Sequence, residues 1–322
     1  MPPSFDHSEI DRTETLAQAA ELYYLQNLNQ NQIARKLGVD RSTVSRMLAE
    51  ARRLKIVEVR IHHPLVQVSE LETALTHSYR LIEAIVVKDL SDDPGMLLPR
   101  LGSAAAGYIQ SVLSPNSIFG ISWGTAISAV VDAIEAKPDL PIKVVQLVGA
   151  LGAQNSVYDG HGLVQRLAAK FNSKAYYLNA PFLVNDQAVA QALEDTPSIR
   201  SVIELGEACD LALLGIGSLK AANSSFLQAG YVSLEDFEKL KEHRMVGDIC
   251  GRHFTITGEI LDIEFHHRII AITPQALKNI PLRIAVAGGP HKAIPILGAL
   301  RSGLLNVLVT NESTAQQIVN YS

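Results

Sequence analysis

Two hydrophobic periods divide this chain. Across residues 15–51 apolar positions recur every three or four residues, whereas beyond residue 80 short apolar runs alternate with amphipathic stretches. In the first region Leu16, Ala20, Tyr23 and Tyr24 predict a helix over 15–28. Residues 30–51 then read as two short helices joined at Gly38. Ala34 permits their close approach, Gly38 supplies a turn backbone that a Cβ would strain, and Val44 and Leu48 turn apolar faces inward. Asp40 is placed to cap the second helix, or Ser42 if that helix starts later. Segment 56–61 alternates Ile and Val with Glu58 and Arg60, the pattern of a half-buried strand. Together these predict a winged helix-turn-helix domain over 1–62.

Segment 62–69 (HHPLVQVS) is interrupted by Pro64 and leads into a stripe of Leu71, Ala74 and Leu75 over 70–79, so 63–80 reads as a linker and helix. Packing between subunits and capping of the following domain both account for that stripe. From 81 to 322, β-rich runs at 84–87, 118–122, 144–148, 175–178, 211–216, 283–287 and 307–309 alternate with helical segments. The latter lie at 97–113, 126–134, 163–171, 199–208 and 294–300. Such alternation predicts an α/β fold, a doubly wound parallel sheet with helices on both faces. Ligands of such sheets sit beyond the carboxyl ends of the strands.

Charge sharpens this division. Residues 30–60 carry 8 Lys/Arg against 3 Asp/Glu, net +5, while the remainder of the chain is net −10. A basic island in an acidic protein is the footprint expected for phosphate contact. The outward face of the second helix carries Arg41, Ser42, Thr43, Ser45 and Arg46, side chains suited to base edges and phosphates, with Arg35 and Arg52 beside them. The rival reading is an inert helical hairpin with a solvated face, which leaves the charge contrast without a cause. Double-stranded DNA is the expected partner. The full length of 322 residues implies about two domains, and 47% apolar residues suffice for a substantial core. Cys209 and Cys250 are too few and too far apart for a disulfide framework or a metal cluster, so both are expected to be buried small residues. No basic region followed by an apolar core opens the chain, and no apolar run approaches about 20 residues. A cytoplasmic protein with no membrane partner is expected, and its first dozen residues are expected to be a loose arm.

Three loops at predicted strand ends are chemically equipped: Gly120-Ile121-Ser122-Trp123-Gly124-Thr125, Gly215-Ile216-Gly217-Ser218 and Gly288-Gly289-Pro290-His291-Lys292. Glycines let backbone amides approach an anion, and a helix N-terminus favours negative charge. Ser122 and Thr125 offer hydroxyls and Lys292 a positive charge, so a phosphorylated metabolite is the natural guest. A fourth segment, 247–252 (GDICGR), reads as a turn carrying Asp248 and Arg252. These suit sugar hydroxyls and phosphate, or else a mutual surface salt bridge. Residues 120–124 also satisfy G-x-S-x-G, but too few strands precede Ser122 for a hydrolase nucleophile elbow, and His161, His253 and His291 are unsupported partners. The pairs His62/His63 and His266/His267 are adjacent rather than one helical turn apart, so they read as linker and strand residues and not as metal ligands.

With these residues in place, the chain resembles the SorC family of bacterial sugar-responsive transcriptional regulators. The resemblance rests on residues 20–51, 120–125 (GISWGT), 144–147 (VVQL), 247–252 (GDICGR) and 285–300 (AVAGGPHKAIPILGAL). It implies an effector domain similar to sugar-phosphate isomerase and CoA-transferase-like folds that has lost catalysis, needs no cofactor and forms a homotetramer. It further implies that Ser122, Gly124 and Thr125 hold phosphate, that Asp248 and Arg252 contact sugar or phosphate, that Gly289 with Lys292 closes the site, and that Gln146 touches the ligand. Some members carry a Lys directly after VVQL that can form a Schiff base, but Val148 stands there in this chain. Non-covalent binding is therefore expected. Gly149-Ala150-Leu151-Gly152 likewise replaces a more usual Gly-Gly pair and reshapes the pocket. Family habit favours repression of a carbohydrate operon, relieved by the ligand. The alternative is a sugar-phosphate isomerase-like enzyme with an appended DNA-binding module, for which Asp248 is the one candidate base.

Overall fold

A computed structural model describes residues 7–54, 56–57, 68–90, 94–150, 159–219 and 234–321, and divides the chain into two compact units, Met1–His63 and Pro64–Ser322. The first unit holds α1 (His7–Tyr24), α2 (Gln30–Leu37) and α3 (Arg41–Arg53). Leu16, Ala20, Leu22, Ile33, Ala34, Val44, Leu48 and Ala51 form its core. Two expectations change here. The first helix begins at His7, where a loose arm was expected, and ends at Tyr24 rather than Leu28, because Asn27 turns left-handed at φ 54°. Tyr23 faces outward and Leu22 takes the core position. Asn29 caps α2 through a reciprocal bond with Gln32, and Gly38 ends it at φ 69°, the left-handed geometry a Cβ disfavours. Asp40, not Ser42, caps α3. Most of the expected wing strand, from Glu58 onward, lies outside the described residues, as do His62 and His63. Ile56 and Val57 fold back on α3 by donating to the Ala51 carbonyl.

The second unit opens with α4 (Ser69–Tyr79), β1 (Glu83–Val87), α5 (Leu97–Val112), β2 (Ile118–Ile121), α6 (Thr125–Ala133), β3 (Lys143–Gln146), α7 (Gly160–Lys170) and β4 (Lys174–Tyr176). It continues with α8 (Gln187–Glu194), α9 (Pro197–Glu207), β5 (Leu211–Gly215), α10 (Leu234–Glu242) and the hairpin β6 (Met245–Ile249) and β7 (Arg252–Thr255). The last elements are α11 (Glu264–His267), α12 (Pro274–Asn279), β8 (Leu282–Val286), α13 (Ala293–Ser302), β9 (Val307–Asn311) and α14 (Glu312–Asn320). All seven runs expected as strands join one parallel sheet in the order β1-β9-β8-β5-β2-β3-β4.

Strand alternation sorts the side chains into two cores. Val86, Val145, Ala212, Leu214, Ala285 and Leu308 join the side covered by α4, α13 and α14, while Ile85, Phe119, Ile121, Leu213, Ile284 and Val309 join the side covered by α5, α6 and α7. Each buried Leu, Ile or Phe contributes roughly 1.5–3 kcal/mol. The stripe on α4 is covered within its own chain: Leu71 and Leu75 belong to the core, and α4 packs on β1 and α14. Glu72 accepts from the Val86 N–H at 2.9 Å and Val68 donates to the Val86 carbonyl at 3.2 Å, so this segment closes the open edge of β1.

From β2 the order runs outward to β3 and β4, and from β5 it runs the other way through β8 and β9. The carboxyl ends of β2 and β5 therefore flank a topological switch point, where an open α/β sheet leaves a crevice.

Candidate functional site: a crevice at the switch point and a basic helix face

A crevice of about 110 Å³ occupies that point, lined by the loops after β2, β5 and β8 together with Asp248 and Cys250 from the hairpin and Leu98 from α5. Its floor is the start of α6. Gly124 stands at the N-cap without a side-chain hydrogen bond to the helix, so the first-turn amides of Thr125, Ala126 and Ile127 face the crevice with no intrahelical carbonyl to bond. Such an end carries partial positive charge and suits an anion. Ser122 is buried, and its Oγ accepts from the Gly215 N–H at 3.3 Å, tying the β2 loop to the β5 loop.

The opposite wall supplies a cation and an acid. Lys292 donates from Nζ to the Ile216 carbonyl at 2.5 Å, and burial holds its pKa below the usual ammonium range even though Asp248 pulls it up. The Asp248 carboxyl is pushed up to about 6 by burial, against the lowering effects of the Gly251 N–H and the Lys292 charge. Its Oδ2 accepts from Gly251 at 3.1 Å. Close approach of Gly217 makes this seat available: a Cβ there would lie 1.7 Å from Asp248 Oδ1. Trp123, the single tryptophan of the chain, also lines the crevice.

The structure thus brings Ser122, Gly124, Thr125, Asp248 and Lys292 to one cavity. Three other expected ligand contacts do not line it. Segment 247–252 is not a loose turn but the end of a hairpin, in which Asp248 pairs with His253 and Ile249 with Arg252. That register turns Arg252 away from Asp248. Its guanidinium donates to the carbonyls of His266 and Ile269, which rules out the mutual salt bridge as well. Gln146 is buried and donates to the Val148 carbonyl at 2.7 Å. Gly289 directs its N–H to Asn311 Oδ1 and Thr314 Oγ1, both at 3.0 Å. Sequence reading missed the roles of Gly217, Cys250 and Leu98; the pattern G-x-G-S was the one available signal, and it pointed at the loop without revealing the carboxylate pressed on it.

Val148 is buried in the core, bridged to Ala271, outside the crevice. Cys209 and Cys250 are free and buried, and burial pushes both thiols up to about 12. His266 and His267 lie on a short helix, not a strand. The His266 ring stacks on His253 and is buried, which pushes its pKa down to about 4. Among the described residues no histidine lines the crevice, and no group of three or more His, Cys, Asp or Glu is placed to hold a metal.

On the first unit, α3 exposes Arg41, Ser42, Ser45, Arg46 and Arg52, and α2 exposes Arg35. Thr43 is partly covered. Asp40 gathers the Ser42 hydroxyl at 2.6 Å, the Thr43 N–H at 2.7 Å and the Thr43 hydroxyl at 3.0 Å. These donors, the Ser42 hydroxyl foremost, hold its pKa down at about 2. Arg46 donates to Thr43 Oγ1 at 3.2 Å. Both hydroxyls thus serve the helix start, while Arg41 and Ser45 present their faces to solvent.

A family model described as "Putative sugar-binding domain" matches residues 63–320, most of the chain. The deoxyribonucleoside regulator of Bacillus subtilis (strain 168) is 31% identical over 310 residues, spanning 96% of this chain and 98% of its own length. This chain belongs to the SorC family of transcriptional regulators. Another relative, the transcriptional regulator LsrR of Enterobacter sp. (strain 638), is 32% identical across 96% of this chain and 94% of its own. In three dimensions the SorC-family chain is similar to the full-length sorbitol operon regulator SorC from Klebsiella pneumoniae, with a TM-score of 0.73 and 28% identity over 96% and 99% of the two chains. The seven-stranded parallel sheet is thus shared with solved regulators of the SorC family. No helix among the described residues of this member is long and apolar enough to cross a membrane.

Proposed function

We propose that this regulator binds operator DNA through α3 and releases it when a phosphorylated sugar enters the crevice at the switch point without covalent capture. The observation that carries this reading is the convergence of the uncapped start of α6, Ser122, Lys292 and Asp248 on one cavity. The first three suit a phosphate, and the fourth suits sugar hydroxyls. Relatives whose names refer to deoxyribonucleosides and to a sorbitol operon support a carbohydrate metabolite.

In this reading the protein is a cytoplasmic homotetramer with no cofactor, acts as a repressor of a carbohydrate operon, and reads DNA as a winged helix-turn-helix with Arg41, Ser45 and Arg46 foremost and Arg35 and Arg52 on phosphates. Two half-sites one helical turn apart, about 34 Å, match paired readers. A hundredfold change in operator affinity requires about 2.8 kcal/mol of coupling, within reach of a few charge-assisted bonds. The sole tryptophan makes the test direct. Titrating a panel of phosphorylated sugars against the full chain should give saturable changes in Trp123 fluorescence for at least one, and that sugar should weaken binding to duplexes from upstream of the protein's own operon. Silence of Trp123 to every sugar phosphate tried, or an operator affinity that none of them alters, overturns the proposal. Asp248, with a pKa near 6, has the proton affinity a general base would need, so conversion of the bound sugar during the same titration would favour the isomerase-like alternative.

A further inference from the structure

The third wall of the crevice, formed by the loop after β8, is held from behind by side chains that never reach the cavity. Gly289 donates its N–H to Asn311 Oδ1 and Thr314 Oγ1, and its carbonyl accepts the N–H of Lys292 at 3.0 Å. One glycine therefore links Asn311 to the lysine of the site. Thr314 donates its hydroxyl to Asn311 Oδ1 at 2.7 Å. With two donors aimed at Oδ1, the amide of Asn311 has only one workable orientation. Its Nδ2 faces the Asp89 carboxylate at 3.0 and 3.1 Å and Ser313 Oγ at 2.9 Å. Asp89 is fixed in turn by the Ser313 N–H at 2.8 Å. Asn311 is 3% exposed and Thr314 fully buried, so water cannot stand in for either. The loop also lies hard against this group: a Cβ on Gly288 would come within 2.5 Å of Asn311 Oδ1.

Asp89 follows β1 and Asn311 ends β9, the two strands paired at the sheet edge. Resting on the sugar-phosphate reading of the crevice, we propose that Asn311, oriented by Asp89, is the positioning residue of that site. It sets the Gly288–Gly289 turn and through it the place of Lys292, without touching the ligand. A carboxamide is needed because the position must accept from a backbone N–H on one side and donate to a carboxylate on the other. The two roles can be exchanged between the partners. Asn311→Asp sets two carboxylates against each other, and Asp89→Asn in the same chain restores a donor–acceptor pair of the same shape with its polarity reversed.

The test uses the full-length protein and two readouts. Hydrogen exchange across 287–292 reports the turn with no ligand present, and titration with inorganic phosphate, followed by Trp123 fluorescence, reports the site. Asn311→Asp is expected to speed exchange of this segment at least tenfold and to weaken phosphate binding at least tenfold. The double variant Asp89→Asn/Asn311→Asp is expected to return both to within threefold of the natural protein. Should Asn311→Asp not fold, Asn311→Ala, which removes the acceptor without adding charge, takes its place. Unchanged exchange in the single variant, faster exchange with unchanged phosphate affinity, or failure of the double variant to recover either property overturns the inference. A natural protein blind to phosphate and to sugar phosphates sinks the sugar-phosphate reading instead, and the exchange readout still judges the Asn311–Asp89 contact by itself.

Discussion

Asp248 illustrates how a single buried carboxyl that lines a crevice can oppose stability. An acid whose folded pKa is raised to about 6 binds more protons folded than unfolded between about pH 4 and 6. Its stabilising contribution is whole below pH 4 and is lost as the pH rises through 6. A shift of this size corresponds to something on the order of 3 kcal/mol. Asp248→Asn keeps an oxygen for the Gly251 N–H and removes the charge. It should therefore exceed the natural protein in stability at pH 7 by a few kcal/mol and converge with it near pH 4, as read by urea unfolding at the two pH values. Equal or lower stability at pH 7 would contradict the burial argument. His253 and His266 act with the opposite sign, because burial lowers both; their contribution is whole above about pH 6.5 and is lost as the pH falls, for His266 through about 4. The asparagine variant separates the two windows. Gly217→Ala tests the same seat sterically: its Cβ must displace the Asp248 carboxyl, so phosphate affinity should fall and about 1–3 kcal/mol of stability be lost. An alanine accepted without either effect would show that the hairpin can yield.

At the scale of elements, capping governs the first unit. Asn29 Oδ1 accepts from the N–H groups of Asn31 and Gln32, and Gln32 Oε1 accepts from the Asn29 N–H at 2.9 Å. Asn29→Ala should cost about 0.5–2 kcal/mol and Asn29→Ser much less, measured as thermal unfolding of the first unit's helices. Equal losses for the two would place the role of Asn29 elsewhere. This cap went unread in the sequence although its letters, N-x-x-Q before Ile33, were present. The seven sheet strands were legible because strands buried on both faces become continuous apolar runs such as Ala84-Ile85-Val86-Val87. The hairpin was not. Its strands carry Asp248, Arg252 and His253, polar residues that imitate a surface turn but are held in the interior. Arg252 shows the consequence: which side of a strand a residue faces depends on register, and a shift of one position exchanges crevice for core. Likewise the partnership of Asn311 with Asp89 joins positions 222 residues apart, which no local pattern encodes.

For the whole molecule, the contrast between the basic segment 30–60 and an otherwise acidic chain makes two separable activities testable by salt. Taking one Lys or Arg off a DNA phosphate should reduce the slope of log affinity against log salt by about 1. Arg46 is exposed on α3 and held toward the helix start by Thr43, a place suited to the DNA backbone or a base edge. Arg46→Ala should weaken operator binding and flatten that slope, while the Trp123 response to sugar phosphate stays as it was. Thr125 stands at the first turn of α6 and lines the crevice. A hydrogen bond to a charged group contributes about 1.5–3 kcal/mol, so Thr125→Ala should weaken sugar phosphate binding roughly ten- to a hundredfold and leave ligand-free operator affinity unchanged. Because Thr125 lines the crevice and its loss should weaken the sugar equally with and without DNA, leaving the coupling unchanged, the concentration of sugar needed to release DNA should rise in Thr125→Ala by about the same factor as its dissociation constant. Gel-shift titrations at several salt concentrations, with and without the sugar, read all of these quantities in one series. A variant at either position that disturbs both activities equally would mean that the two units do not carry separate functions.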